Sequence, residues 1–437
     1  MKIVMLDGST STDGAGARIQ AEVLRQLETQ NHAVEIFTLR ERKIGNCAGD
    51  FFCWVRRPGL CNTDDDNRVI ASAIINAGLL IYLTPVTFGG YSAALKKAVD
   101  HQIQNIAPFF TTLNGETHHA RRYERYPDFL VVGWQSAPNP AAESIFRHLV
   151  WRNSLNFYAQ ASHCEIVTGE PAGEILAAQI ESALGAIARR AAAPQPALPS
   201  PNISPALTRP PRRALMLVGS PRGRKSTSHS LGAYLMEQLA ARGVETEIAT
   251  IYPALNNPQK MDGLLAQMDS ADLTVLAFPL YVDTLPAPVI LLLERLAAHR
   301  AAHPAPRKGF AALANCGFPE AHHNDTALAL CAQFSAETGL AWLGSLALGA
   351  GEGMVHGEPL ETAGGPAIPL KKALELAAHS LALGQPIPAE AQKFIEKPFI
   401  PAWLYRLLGG VGWKQQAKRW GAQANMGRKP YQAETTQ

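Results

Sequence analysis

The sequence predicts an α/β protein made of two tandem three-layer α/β/α units, each a parallel five-stranded sheet, followed by a short helical tail. Three observations predict it. Segments of the first half reappear in the same order in the second, which one chance match would not do. Lys2 to Thr10 pairs with Ala214 to Pro221, Ala77 to Pro85 with Ala271 to Pro279, and Phe129 to Pro138 with Phe310 to Pro319. Short Val/Ile/Leu runs alternate with helical patterns, the signature of a parallel sheet covered on both faces. Between the halves, residues 191–213 carry seven prolines in 23 residues, too many for a helix or an inner strand.

In the first half the pattern places strands at 2–7, 34–39, 79–84, 129–134 and 164–168, with helices at 15–29, 64–76, 91–104, 140–153 and 172–190. In the second half strands fall at 214–218, 245–251, 273–278, 309–314 and 341–348, with helices between them and a last one at 368–384. Five strands per unit fit the flavodoxin-like order 2-1-3-4-5, in which a ligand sits outside the carboxyl ends of strands 1 and 3. The expected domains are 1–190, a Pro-rich extended linker 191–213, 214–386, and a basic, aromatic tail 387–437 with two short helices broken at Gly409-Gly410. Gly8 and Ala77 are 69 residues apart and Gly219 and Ala271 are 52 apart, so the first unit carries 17 more residues between its second and third strands. Three of the six cysteines lie in that insertion.

The balance of 40 Lys and Arg against 37 Asp and Glu gives +3, too little for nucleic-acid binding through the whole surface. The opening apolar run is only Ile3 to Leu6, too short for a signal peptide, and no segment reads as a membrane span. Six unevenly placed cysteines suit a reducing compartment, so a cytoplasmic location is expected.

The strand ends carry the chemistry. Gly219-Ser220-Pro221-Arg222-Gly223-Arg224-Lys225-Ser226-Thr227-Ser228 runs from a strand into a helix. Its free backbone N–H groups, the hydroxyls of Ser220, Ser226, Thr227 and Ser228, and the Arg222 guanidinium suit a phosphate. Pro279-Leu280-Tyr281-Val282-Asp283 ends the third strand and offers a flat apolar wall. Phosphate at one loop and a ring at the next describe a mononucleotide. Both loops resemble those of the NADPH-dependent FMN reductase group of flavodoxin-fold oxidoreductases. The resemblance implies FMN, with Tyr281 and its neighbours beside the isoalloxazine and Asn315 and Gly317 in a third loop at the flavin edge. His322 then lies near substrate.

The first unit resembles the same superfamily through Ser9, Thr10, Ser11 and Thr12 and through Pro85-Val86-Thr87-Phe88-Gly89-Gly90-Tyr91-Ser92. Asp13 would repel phosphate if it pointed inward, and Thr87 stands where the family loop has Tyr. Cys47, Asp50, Cys53 and Cys61 resemble a segment of iron–sulfur flavoproteins in which Asp50 replaces a cysteine. With three thiols, no iron–sulfur cluster and no zinc is expected; a relic, a rim loop or a redox pair of Cys47 and Cys53 remain as readings. The adjacent pairs His118-His119 and His322-His323 are expected to be solvated loop histidines.

The resemblance implies a flavin oxidoreductase: NAD(P)H as co-substrate passes hydride to the flavin N5, and a small acceptor (quinone, nitro or azo compound, free flavin) is reduced. The alternatives are an electron carrier between proteins, against which the positive charge speaks, and a flavin-free duplicated scaffold. The tail is open to three readings: packing on its own domain, a homodimer contact, or a membrane-surface anchor.

Overall fold

The structure is a computed structural model and describes residues 1–10, 12–190, 195–304 and 306–432. It divides into two compact units, Met1–Leu198 with Arg406–Gln437, and Pro199–Tyr405.

The first unit runs β1 (Lys2–Asp7), α1 (Gly14–Thr29), β2 (Ala33–Thr38), α2 (Phe52–Val55), α3 (Asp66–Ile75), β3 (Leu79–Pro85), α4 (Ala93–Asp100), β4 (Ile106–Leu113), β5 (Glu116–Arg121), β6 (Asp128–Gln135), α5 (Pro140–Asn156), β7 (Ser162–Thr168) and α6 (Gly173–Arg189). Its main sheet has the order β2-β1-β3-β6-β7, all parallel. Counting only those five strands, this is the 2-1-3-4-5 order read from the sequence. The central strands are apolar without alternation because helices cover both faces. Ile3, Met5, Ile81 and Leu130 have no exposed surface.

The second unit runs β8 (Arg213–Val218), α7 (Thr227–Ala240), β9 (Glu245–Thr250), α8 (Pro258–Ser270), β10 (Leu273–Pro279), α9 (Ala287–Ala302), β11 (Gly309–Asn315), α10 (Asp325–Glu337), β12 (Ala341–Leu348), α11 (Gly351–Val355), α12 (Ala367–Ala382) and α13 (Ala389–Ile395). The sheet order β9-β8-β10-β11-β12 repeats the first. The proline-rich segment is not free chain throughout: Ser204 N donates to Trp342 O (2.8 Å) and Leu207 N to Gly384 O (2.7 Å).

Four features differ from the sequence reading. The hairpin β4–β5 stands where no strand was expected; Asn114 (φ +50°) and Gly115 (φ +84°) form its turn, the type I′ pair that Asn-Gly favours. That hairpin buries His118, which is not a solvated loop histidine: its Nδ1 lies 2.8 Å from Asn156 Oδ1 and its Nε2 2.8 Å from Glu116 Oε1, and Arg152 bonds the same carboxylate. His323 is likewise buried, in a 3-10 turn.

The remaining differences concern the tail. Its helices are α13 and α14 (Ala402–Arg419), and α14 runs unbroken through Gly409-Gly410. Gly409 serves close approach there, since a Cβ would stand 2.5 Å from Phe110 Cε2. Finally, residues 406–432 pack within the first unit, not with the second unit that they follow in the chain. Trp413 stands edge-on to Phe51 and Trp54, and Ala417 and Met426 share a core with Cys53, Trp54 and Ile106.

Candidate functional site

In the second unit β8 runs into Gly219, whose N–H bonds Ala277 O at 2.8 Å. A Cβ on Gly219 would lie 2.7 Å from Val289 Cγ2 and 3.0 Å from Phe278 Cβ, so glycine lets the loop lie against α9 and β10. Gly8 answers to the same need in the first unit, with Leu95 Cβ 2.7 Å away. After one 3-10 turn α7 begins, capped by Ser226: its Oγ accepts from His229 N (3.1 Å) and donates to Gly223 O (2.6 Å). Ser220, Ser226, Thr227 and Ser228 are all buried. Asn315, at the end of β11, donates to Ser228 Oγ (2.8 Å) and Phe278 O (3.1 Å) and so ties the ends of β10 and β11 to the head of α7.

This loop already holds an anion. Arg222 Nη1 lies 2.7 Å from Glu352 Oε1, and Thr227 Oγ1 donates to Glu352 Oε2 at 3.4 Å. Glu352 stands on the one-turn helix α11, which lies directly over the loop: a Cβ on Gly357, two residues beyond it, would meet Lys225 O at 2.4 Å. A guanidinium, a hydroxyl and a helix N-terminus around a carboxylate form a donor set that suits phosphate equally.

The next loop is a two-residue turn in which Tyr281 N bonds Thr284 O (2.9 Å) and Thr284 N bonds Tyr281 O (3.1 Å). Val282 at φ +42° and Asp283 at φ +62° make it type I′. A β-branched residue at positive φ costs about 1–3 kcal/mol, a cost that persists where the surroundings fix the loop. Pro279, Leu280, Tyr281 and Val282 are half-buried and Asp283 is buried. Thr284 Oγ1 is buried with no hydrogen-bond partner. Gly317, in the third loop, accepts from Tyr405 Oη at 2.9 Å. Sequence reasoning missed Glu352 and Tyr405. The only signal for Glu352 is its place between two glycines just past the fifth strand.

The first unit keeps the same turn: Thr87 and Gly90 exchange hydrogen bonds of 2.9 and 2.7 Å, with Phe88 and Gly89 at φ +53° and +83°. Here Phe88 is buried, and a Cβ on Gly89 would lie 2.7 Å from Ile145 Cβ, so the turn is packed against α5. Pro85, Val86 and Thr87 are half-buried beside it.

The head of α1 is differently filled. Asp13 caps the helix by accepting from Gly16 N (2.9 Å) and takes the Trp134 indole N–H on its other oxygen (2.8 Å). The Trp134 ring lies 2.7 Å from where a Gly16 Cβ would be. Ser9 is buried, and its Oγ accepts from Arg40, which also holds Asp7 at 3.1 Å. Thr10 and Thr12 are exposed, and Ser11 lies outside the described residues. A phosphate brought here would meet the Asp13 carboxylate and the indole ring.

The cysteine insertion lies on the same unit. Burial, with the charge of Asp100 behind it, pushes the Cys47 thiol up to about 12, and burial pushes Cys53 well above its ordinary value. Asp50 accepts from Phe52 N at 3.0 Å. Among the described residues the three sulfurs do not gather within 4.8 Å of one another, and three thiols with one carboxylate do not make the four-thiolate set of a four-iron cluster.

Cys61 is different. Burial raises its thiol, but the His101 hydrogen bond and charge outweigh burial and bring it below the ordinary value. His101 Nδ1 lies 3.5 Å from the sulfur and Nε2 3.0 Å from Gly45 O; against its own burial, these contacts and Asp100 raise the imidazole. Thiolate is the reacting form. Cys61 is therefore expected to be the first of the three to take iodoacetamide at neutral pH, with a rate that falls as pH drops through its lowered value. Peptide mapping of partially alkylated protein checks this; faster labelling of Cys47 or Cys53 would contradict it.

A model of the family described as NADPH-dependent FMN reductase matches residues 1–115 and 212–352, more than half the chain. An iron–sulfur flavoprotein of Methanocaldococcus jannaschii is 29% identical over 100 residues, 23% of this chain and 51% of that protein. The chain thus spans about half the length of that curated relative. Among solved structures, an FMN-dependent NADH-azoreductase from Bacillus anthracis in complex with FMN is 13% identical, covering 39% of this chain and 99% of that one with a TM-score of 0.30. An NAD(P)H:quinone oxidoreductase from Methanothermobacter marburgensis is 14% identical, covering 42% and 93% with a TM-score of 0.33.

Proposed function

The chain belongs to the NADPH-dependent FMN reductase family, and from that we propose that it is an NAD(P)H-dependent FMN oxidoreductase, that it works with a single FMN held by the second unit, and that its acceptor is a small quinone, nitro or azo compound or a free flavin. The observation that carries this reading is the carboxylate of Glu352 between Arg222 and Thr227. A loop that grips one anion has the donors for another. The first unit offers no such place, because Asp13 and Trp134 fill the head of α1.

In this reading Ser220, Arg222, Ser226, Thr227 and Ser228 hold the phosphate. Pro279, Leu280, Tyr281, Val282 and Asp283 flank the ring, and Asn315 and Gly317 border its edge. FMN, when bound, supplies the hydride chemistry. The chain supplies the rest. Arg222 exchanges the carboxylate for the phosphate, Asn315 fixes the spacing of the loops, and the half-buried apolar wall around Tyr281 keeps water from the ring face. No side chain is needed as acid or base, which fits a site built of hydroxyls, backbone and apolar surface.

Two measurements test the reading. Reconstituted protein is expected to carry about one flavin per chain by absorbance. Glu352→Gln removes the competing charge and keeps the shape, so it is expected to tighten FMN binding several-fold in a fluorescence titration. Two flavins per chain, or weaker binding in the variant, would defeat the proposal. A colourless protein that FMN does not stabilise would return the duplicated scaffold.

A further inference from the structure

Helix α14 and the residues after it present a surface that nothing in the first unit covers. The helix turns Gly409, Trp413 and Ala417 inward, against Phe110, Phe51 and Trp54. On its other side Leu407, Leu408 and Val411 are 60%, 53% and 46% exposed; Trp420, just beyond the helix, is 47% exposed although its ring stands edge-on to Phe52 and under the Arg56 guanidinium. Large apolar side chains this exposed are few among the described residues, and four of them lie within fourteen residues here. A helix that is apolar on both sides has the pattern of one covered on both sides.

The charge names the cover. Residues 406–432 hold Arg406, Lys414, Lys418, Arg419, Arg428 and Lys429 and no Asp or Glu. Lys414 and Lys418 follow Leu407 and Val411 along one stripe, at spacings of three and four residues, and both are exposed. A second copy of the chain would bring the same positive charges face to face, so this surface is not self-complementary. An anionic lipid surface complements it. Leu407, Leu408 and Val411 reach below the headgroups, and the lysines extend to the phosphates. No helix of the described residues is long and apolar enough to cross a membrane, which agrees with a helix that lies on one.

The geometry points to a peripheral membrane-docking face on α14, specific for anionic lipid. The test is co-sedimentation of the full chain with phosphatidylcholine vesicles made with and without phosphatidylglycerol. Binding is expected only with phosphatidylglycerol and is expected to weaken steeply with added salt. Lys414→Glu/Lys418→Glu is expected to weaken it by at least about thirtyfold, and Leu407→Ser/Val411→Ser by about tenfold or more. These side chains are exposed, so the variants keep the fold, which circular dichroism checks. Three results would each overturn the proposal: no binding to phosphatidylglycerol vesicles at low salt, binding unchanged in both double variants, or a dimer in gel filtration that Leu407→Ser/Val411→Ser dissociates.

Discussion

Thr227→Asp is expected to give a folded protein that binds FMN about thirtyfold more weakly. Thr227 opens α7, and its hydroxyl holds the Glu352 carboxylate. An acid in the first turn of a helix agrees with the macrodipole, which offsets part of its burial cost and of its repulsion from Glu352, so the second unit is expected to fold with a lowered melting temperature. The new carboxylate lies where the phosphate is proposed to bind. Two like charges about 4 Å apart repel by about 4 kcal/mol at an effective dielectric of 20, and screening by Arg222 leaves roughly half of that. A flavin titration read beside a thermal melt separates the effects. Flavin binding weakened about thirtyfold in a protein that still melts cooperatively is the expected pair of results. Unaltered flavin binding would place the phosphate elsewhere and remove the second-unit site.

The first unit carries a natural version of that experiment. Asp13 caps α1 as Ser226 caps α7, and its second oxygen is taken by Trp134. The two halves keep the same sheet order, the same glycine after strand 1 and the same positive-φ turn after strand 3. They differ at the helix head, where one half presents hydroxyls and the other a carboxylate and an indole. On the proposed reading of a single flavin site, duplication followed by loss of one anion site would account for both the likeness and the difference.

How much of this could be read from the sequence follows from the range of each interaction. The sheets were legible because a strand announces itself within a few residues, and the repeat supplied each strand twice. The loops Gly219 to Ser228 and Pro279 to Asp283 were legible for the same reason. The occupants of the helix heads were not. Arg222 meets Glu352 across 130 residues and Trp134 meets Asp13 across 121, and no local pattern encodes either meeting. The hairpin at Asn114-Gly115 is a different case, since its turn signal was present and local. His118 was misplaced with it, because a histidine is read as solvated only when its strand goes unseen. Gly409-Gly410 shows the opposite error: glycine pairs break helices on average, but here one of the two makes room for Phe110.

The largest stability effect is expected at Lys96, which the flavin reading does not use. Lys96 and Asp100 form an ion pair one turn apart on α4, with side chains 0% and 1% exposed. Taking both charges out of water is costly, and their attraction offsets that cost only while both are present. Lys96→Met should therefore destabilise the first unit by about 3–5 kcal/mol, the usual result of leaving one buried charge behind. The double change Lys96→Met/Asp100→Leu removes both charges and should recover most of the loss, because apolar replacement of a whole buried pair is often neutral or stabilising. Denaturant unfolding followed by hydrogen exchange in peptides of the first unit keeps the second unit from masking the change. A single variant that costs less than about 1 kcal/mol would mean that other groups or water carry Asp100, and a double variant no better than the single would mean that α4 depends on the shape of Lys96 rather than its charge.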